Sequence, residues 1–144
     1  MADLSALTAA QVLQSSAAVI KSGVAGEAIT QGQPVYIDTA NSNVIKKAVN
    51  TTVLQATCAG IAITTCAAAG QKVYYASEDP SFTLSTDAGV VVGDTLYIGG
   101  TAGLFTKTQA DITSTKCASV VGTVIANNPD KILLKITNGT ALVA

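Results

Sequence analysis

The chain has no arginine, no histidine and no tryptophan, and Asp, Glu, Lys and Arg together make up only 12% of its 144 residues. Each absence excludes a class of chemistry. Without arginine there is no bidentate fork for phosphates or base edges. Eight lysines against nine carboxylates, a net charge of −1, give no cationic field for nucleic acid, so nucleic-acid binding is not expected. Without histidine the commonest general base and metal ligand is missing, and Ser-His-Asp or Cys-His triads cannot be written on this chain. No run approaches the roughly 18 apolar residues of a membrane span, because Thr, Ser, Gly or Lys interrupts every candidate. The start carries Asp3 where a secretory signal would be basic, and no apolar stretch follows it, which predicts a chain that is not exported.

What the chain has in quantity is short β-branched and aromatic runs, separated from Gly26 onward by Gly, Pro and Asn at intervals of about ten. This pattern predicts strands over 27–29, 33–38, 44–48, 57–64, 71–76, 82–84, 95–98, 104–106, 118–126 and 131–137. Turns are expected at Asn41-Ser42-Asn43, Glu78-Asp79-Pro80, Gly99-Gly100-Thr101 and Asn128-Pro129-Asp130. An internal repeat sharpens the picture. Gly32-Gln33-Pro34-Val35-Tyr36-Ile37 is echoed by Gly93-Asp94-Thr95-Leu96-Tyr97-Ile98, Gly60-Ile61-Ala62-Ile63 by Gly122-Thr123-Val124-Ile125, and Lys72-Val73-Tyr74-Tyr75 by Lys131-Ile132-Leu133-Leu134. Three echoes in the same order predict two similar halves closing on each other in one all-β barrel or sandwich over residues 26–144. Tyr36 and Tyr97 then occupy equivalent strand positions, as core tyrosines with their hydroxyls at the rim.

Residues 1–25 stand outside the repeat and are expected to form an N-terminal arm, with a helical turn or two near its start. Leu4, Leu7, Val12, Leu13, Val19 and Ile20 are too many apolar side chains for a free tail, so they are the candidate partner interface, with Gly23 and Gly26 as a flexible junction.

Candidate chemistry is sparse. Cys58, Cys66 and Cys117 are odd in number and lack a CxxC spacing, so reduced thiols packed as small hydrophobes are expected. The adjacent Glu78-Asp79 before Pro80 reads as a solvated turn, since sequence neighbours point apart. Asp38, Asn41 and Asn43 offer oxygens in the manner of a calcium loop but lack its Gly and terminal Glu. Gly99-Gly100-Thr101-Ala102-Gly103 lacks the Lys of a phosphate loop and sits between alternating strand residues, as a hairpin connection does. No catalytic residue, metal site or cofactor is predicted, and an enzyme is not expected.

At Met1–Val12, and again at Gly26–Asp38, the sequence resembles the small capsid decoration, or cement, proteins of tailed bacteriophages. The resemblance continues at Gly60-Ile61-Ala62, at Gly89–Tyr97, and at Val121–Ile125 with Lys131–Ile136. The chain departs from the family pattern in its cysteines and in having no Arg before Gly60-Ile61-Ala62. The resemblance implies an all-β structural virion protein, a homo-oligomer and often a trimer. Such a protein is made in the host cytoplasm and placed on the outer surface of the head, where it bridges subunits of the major capsid protein. A rival reading, a β-domain binding carbohydrate or host surface from the particle, would want exposed aromatics, and two Phe and four Tyr offer few.

Overall fold

The apolar runs become strands because alternation with a period of two lets each bury one side of a pleated ladder. A computed structural model describes residues 12–84, 90–107, 116–127 and 129–138. In chain order its elements are β1 (Val12–Leu13), β2 (Val19–Val24), β3 (Pro34–Asp38), β4 (Val44–Lys47), α1 (Val53–Ala56), β5 (Cys58–Ala62) and β6 (Lys72–Leu84). They are followed by β7 (Thr95–Ile98), β8 (Phe105–Thr106), β9 (Val120–Ala126) and β10 (Lys131–Thr137). The strands join one curled antiparallel sheet in the order β4-β3-β5-β6-β10-β9-β7-β8, with β1 and β2 added along β6. The all-β, barrel-like class expected from the sequence is what the chain adopts.

The repeat is visible in the pairing itself. The order β4-β3-β5-β6 in the first half is reproduced as β8-β7-β9-β10 in the second. Pro34 pairs with Ile61, Val35 with Gly60 and Tyr36 with Cys58; at the equivalent positions Thr95 pairs with Thr123, Leu96 with Gly122 and Tyr97 with Val120. Even the register shift falls at the same place, after Val35 and after Leu96. Gly60 and Gly122 are equivalent because neither has room for a Cβ, which would collide with the carbonyl oxygen of Ala76 or of Leu133. Both halves enter their first strand through the same β-turn. Gln33 N–H donates to Thr30 O (3.1 Å) and Asp94 N–H to Val91 O (3.0 Å), with Gly32 at φ +96° and Gly93 at φ +100°. In each turn the fourth side chain caps the first amide: Thr30 N–H donates to Gln33 Oε1 and Val91 N–H to Asp94 Oδ2, both at 2.9 Å.

The third echo needs a correction of two residues. Ala62 pairs with Tyr75 and Val124 with Ile132, so Tyr75 corresponds to Ile132, and Ala76, the partner of Ile61, corresponds to Leu133, the partner of Thr123. A slip of two preserves the face, which is why the sequence match survived it.

The expected turn at Glu78-Asp79-Pro80 is absent, and β6 runs through it for 13 residues, from one half into the other. Pro80, with no N–H to give, sits where the register with β10 shifts between the Ile132–Phe82 and Leu134–Asp79 pairs. The strand expected at 27–29 is only a single bridge, Ile29 to Cys66. The helical turns expected near the start fall mostly outside the described residues, as do Asn128 and the C-terminal 139–144.

Within the segment expected as an arm, residues 12–13 and 19–24 are paired to their own chain. Val12 and Leu13 lie opposite Leu84 and Thr83, and Val19–Val24 run opposite Glu78–Lys72. Thr83 also pairs with Lys131, and Glu78 with Lys135, so β1 and β2 must lie on the side of β6 away from β10. The chain then curls back, with Ala25 bridging Ile45 and Gly26 N–H donating to Ile45 O at 2.8 Å. Gly23 serves close approach and not a hinge, since a Cβ there would meet Ile45 Cγ1 at 2.8 Å.

Two cores result. Val35, Ile45, Ala62, Val73 and Tyr75, with Ala25, Ile29 and Cys66, fill the curl of the first half. A second core lies between the halves and takes Tyr36, Cys58, Ile61 and Ala76 from the first half and Leu96, Val121, Val124, Ile132 and Leu134 from the second. Phe82 and Leu84 of β6, Val12 of β1, and Ala48, Val90, Ile98 and Phe105 complete it.

Candidate docking surface

Asp79 fixes the strap between β1 and β2. It is buried, and its carboxylate accepts from Ser15 N–H at 2.7 Å, from Ser15 Oγ–H, and from Ser81 N–H at 2.9 Å. Of the solvated turn read from Glu78-Asp79 only the exposure of Glu78 holds: both residues lie within β6, and Asp79 holds the N-terminal strands on the sheet.

The other chemical candidates are also occupied structurally. Asp38 takes Asn41 Nδ2 at 2.8 Å, Ala40 N–H at 3.2 Å and Lys46 Nζ at 3.0 Å. Those bonds, that from Asn41 foremost, hold its carboxyl below the usual range and raise the Lys46 ammonium in return. Its oxygens cap the turn at Asn41-Ser42-Asn43, where Ser42 and Asn43 adopt φ near +58° and +59°. All three cysteines are free and buried, and burial pushes the Cys58 thiol up to about 12. Among the described residues no three Asp, Glu, Cys or His side chains gather as a metal site.

The structure separates the six interface candidates. Leu4 and Leu7 lie outside the described residues. Val12 is buried in the core between the halves. Leu13, Val19 and Ile20 are exposed, at 63%, 44% and 40%, along the outer edge that β1 and β2 give the sheet.

Val19 also faces a groove of about 330 Å³ lined by Ala17, Glu78, Pro80, Leu133 and Lys135. This groove opens onto the outer face of the second half, which sequence reasoning did not single out. On β10, Ile132 and Leu134 point into the core, while Lys131, Leu133 and Lys135 point away from it. Leu133 pairs with Thr123 of β9, and Ile125 lies two residues further along the same face. Ile125 and Leu133 are 42% and 41% exposed. The turn into β7 is fastened to β9 at Val124, where Gly93 N–H donates to the Val124 carbonyl, and its first two residues, Val91 and Val92, are 58% and 60% exposed. Part of the signal was present in the repeat, where Val91-Val92 stands against Thr30-Gln31; the match of Leu133 to Ala76 needs the corrected register, since the sequence echo sets Leu133 against Tyr74.

Among the described residues the arrangement suits contact between proteins, with exposed aliphatic side chains on paired strands. Residues 6–76, just under half of the chain, match a family model described as phage cement protein. No curated protein and no solved structure matches the chain. The family match supports a phage capsid cement protein, a structural component associated with the capsid in the virion.

Proposed function

From the premise of a phage capsid cement protein, we propose that the chain sits on the outside of the assembled head as a homo-oligomer, a trimer, and bridges neighbouring subunits of the major capsid protein. The observation that carries this reading is a run of uncovered apolar side chains, from the β1–β2 edge, with Leu13, Val19 and Ile20, through the groove lined by both Val19 and Leu133 to the outer face of β9 and β10, with Ile125 and Leu133. Such a run is broad enough to meet both another copy and the shell. Leu13, Val19 and Ile20 make the contacts between copies, through the edge strand that β2 leaves open. Repetition over a lattice then turns a modest affinity at each contact into lasting occupancy.

Heads of the encoding phage, stripped of the protein, test the reading. Added protein cosediments with them to saturation and raises the temperature at which they release DNA. Light scattering of the free protein gives a mass near three times 14.4 kDa, and Leu13→Ser with Ile20→Thr lowers it. A 14 kDa species at micromolar concentration contradicts the trimer, and failure to bind stripped heads contradicts the function.

A further inference from the structure

We infer that the apolar groove between the end of β3, the start of β5 and α1, lined by Ile37, Leu54, Thr57, Cys58 and Ala59, is the seat of this chain's own segment 139–144, which clasps the second half to the first through Leu142 and Val143. This goes beyond the cement reading and does not depend on it.

The groove has a volume of about 350 Å³ and opens where β3 and β5 part beyond the Tyr36–Cys58 pair. Ile37 and Leu54 on its walls are each 37% exposed. The internal repeat shows what this place looks like when it is covered. Ile98 stands at the position of Ile37, and Val121 at that of Ala59. Both Ile98 and Val121 are fully buried. The cover over Ile98 comes from outside its own half. Asn50, itself fully buried, donates its backbone N–H to Gly99 O at 3.1 Å and its side-chain amide to Ile98 O at 3.2 Å, and Ala48 joins the same core. Among the described residues, Ile37 has no such cover.

The path of the chain selects the occupant. Asn138, directly after β10, is fastened to the wall of the groove: Cys58 N–H donates to Asn138 Oδ1 at 2.9 Å, and Asn138 Nδ2 donates to Cys58 O at 3.3 Å. The residues that follow are Gly139-Thr140-Ala141-Leu142-Val143-Ala144, with two large aliphatic side chains and no charged one. Gly139 leaves the direction of the backbone open. Four extended residues span about 13 Å, enough to set Leu142 over Ile37 or Leu54 from an anchor at Cys58. Other segments fit less well. Residues 1–11 lead into Val12 beside Leu84, at the Lys131 end of β10, and the seven residues of that strand put this end about 20 Å from Asn138. Residues 108–115 hold one large aliphatic side chain, Ile112, directly after the carboxylate of Asp111, which an apolar groove would penalise.

A mutant cycle in urea denaturation of the full chain tests the seat. Leu54→Ala and Leu142→Ala are each expected to lower the folding equilibrium constant at least about fivefold, and the double variant to fall short of the product of the two effects by at least about threefold, because both remove one contact. Val91→Ala, on the exposed turn into β7, is the control, and its effect multiplies with that of Leu54→Ala to within about twofold. A Leu142→Ala chain as stable as the wild type, or one whose effect simply multiplies with that of Leu54→Ala, overturns the inference. Coupling of Leu54→Ala to Ile112→Ala in place of Leu142→Ala overturns it as well. If a variant does not fold, methyl NMR of the wild type decides: Overhauser contacts from Leu142 or Val143 to Ile37 or Leu54 support the seat, and their absence refutes it. In a mixture of labelled and unlabelled chains those contacts must arise within one chain; contacts between chains give the groove to a second copy and overturn the inference.

Discussion

The two halves share a ladder but not an environment. In the first half the sheet is covered on both sides, Val35, Ala62 and Tyr75 facing its own curl and Tyr36, Ile61 and Ala76 facing the other half. In the second half Leu96, Val124 and Ile132 are covered, while Tyr97, Thr123 and Leu133 face outward. Identical turns, registers and close-approach glycines therefore set the backbone, and the surroundings alone decide which face must be apolar. Tyr36 and Tyr97 show this at one position: the first is buried in the core between the halves, and the second is half-buried on the outer face.

If the core between the halves is truly shared, its loss unfolds both together. Phe82, fully buried there on the strand that crosses from one half to the other, should cost about 3–5 kcal/mol on substitution by alanine, with one cooperative transition retained. Two separate melts would break the comparison by showing halves that fold independently. Gly60→Ala and Gly122→Ala sharpen it, since each drives a Cβ into a neighbouring carbonyl and both should cost about 1–3 kcal/mol, within about 1 kcal/mol of each other in urea denaturation.

The N-terminal strands belong to this comparison because they lie along both ends of β6. Asp79→Ala leaves the Ser15 and Ser81 amides without their acceptor, which should cost about 1–3 kcal/mol and open the segment between β1 and β2 to limited proteolysis. The smallest effect is alkaline. The Cys58 thiol is raised from 9.0 to about 12 by burial, so its contribution is complete below pH 9 and is lost as pH rises towards 12, because the unfolded chain releases that proton first. Stability should fall by about 1 kcal/mol between pH 8 and pH 10 beyond the fall of a Cys58→Ala variant.

Much of this was legible in the sequence, and the parts that were not have identifiable physical causes. Strands β3, β4, β5, β7, β9 and β10 follow from alternation and turn residues, and the repeat from three echoes, because those signals are local. β6 was read as two strands because Glu-Asp-Pro is turn chemistry in isolation; only Ser15, 64 residues from Asp79, shows why a carboxylate belongs inside a sheet there. β2 was missed because Val19-Ile20-Lys21-Ser22-Gly23-Val24 shows little alternation, being an edge strand with most of its side chains exposed. Of the interface candidates, hydrophobicity alone could not separate Val12, which faces Leu84 and the core, from Leu13, its exposed neighbour. The valine turn was passed over because apolar residues beside a strand look like more strand until the equivalent turn, Thr30-Gln31, is laid against them.

Electron microscopy of decorated heads, at a resolution that traces side chains, tests the central claim most directly. The protein should lie on the outside of the head in contact with neighbouring shell subunits, with Leu13, Val19 and Ile20 covered where its copies meet. Finding those side chains open to solvent, or each copy resting on one shell subunit alone, would contradict it.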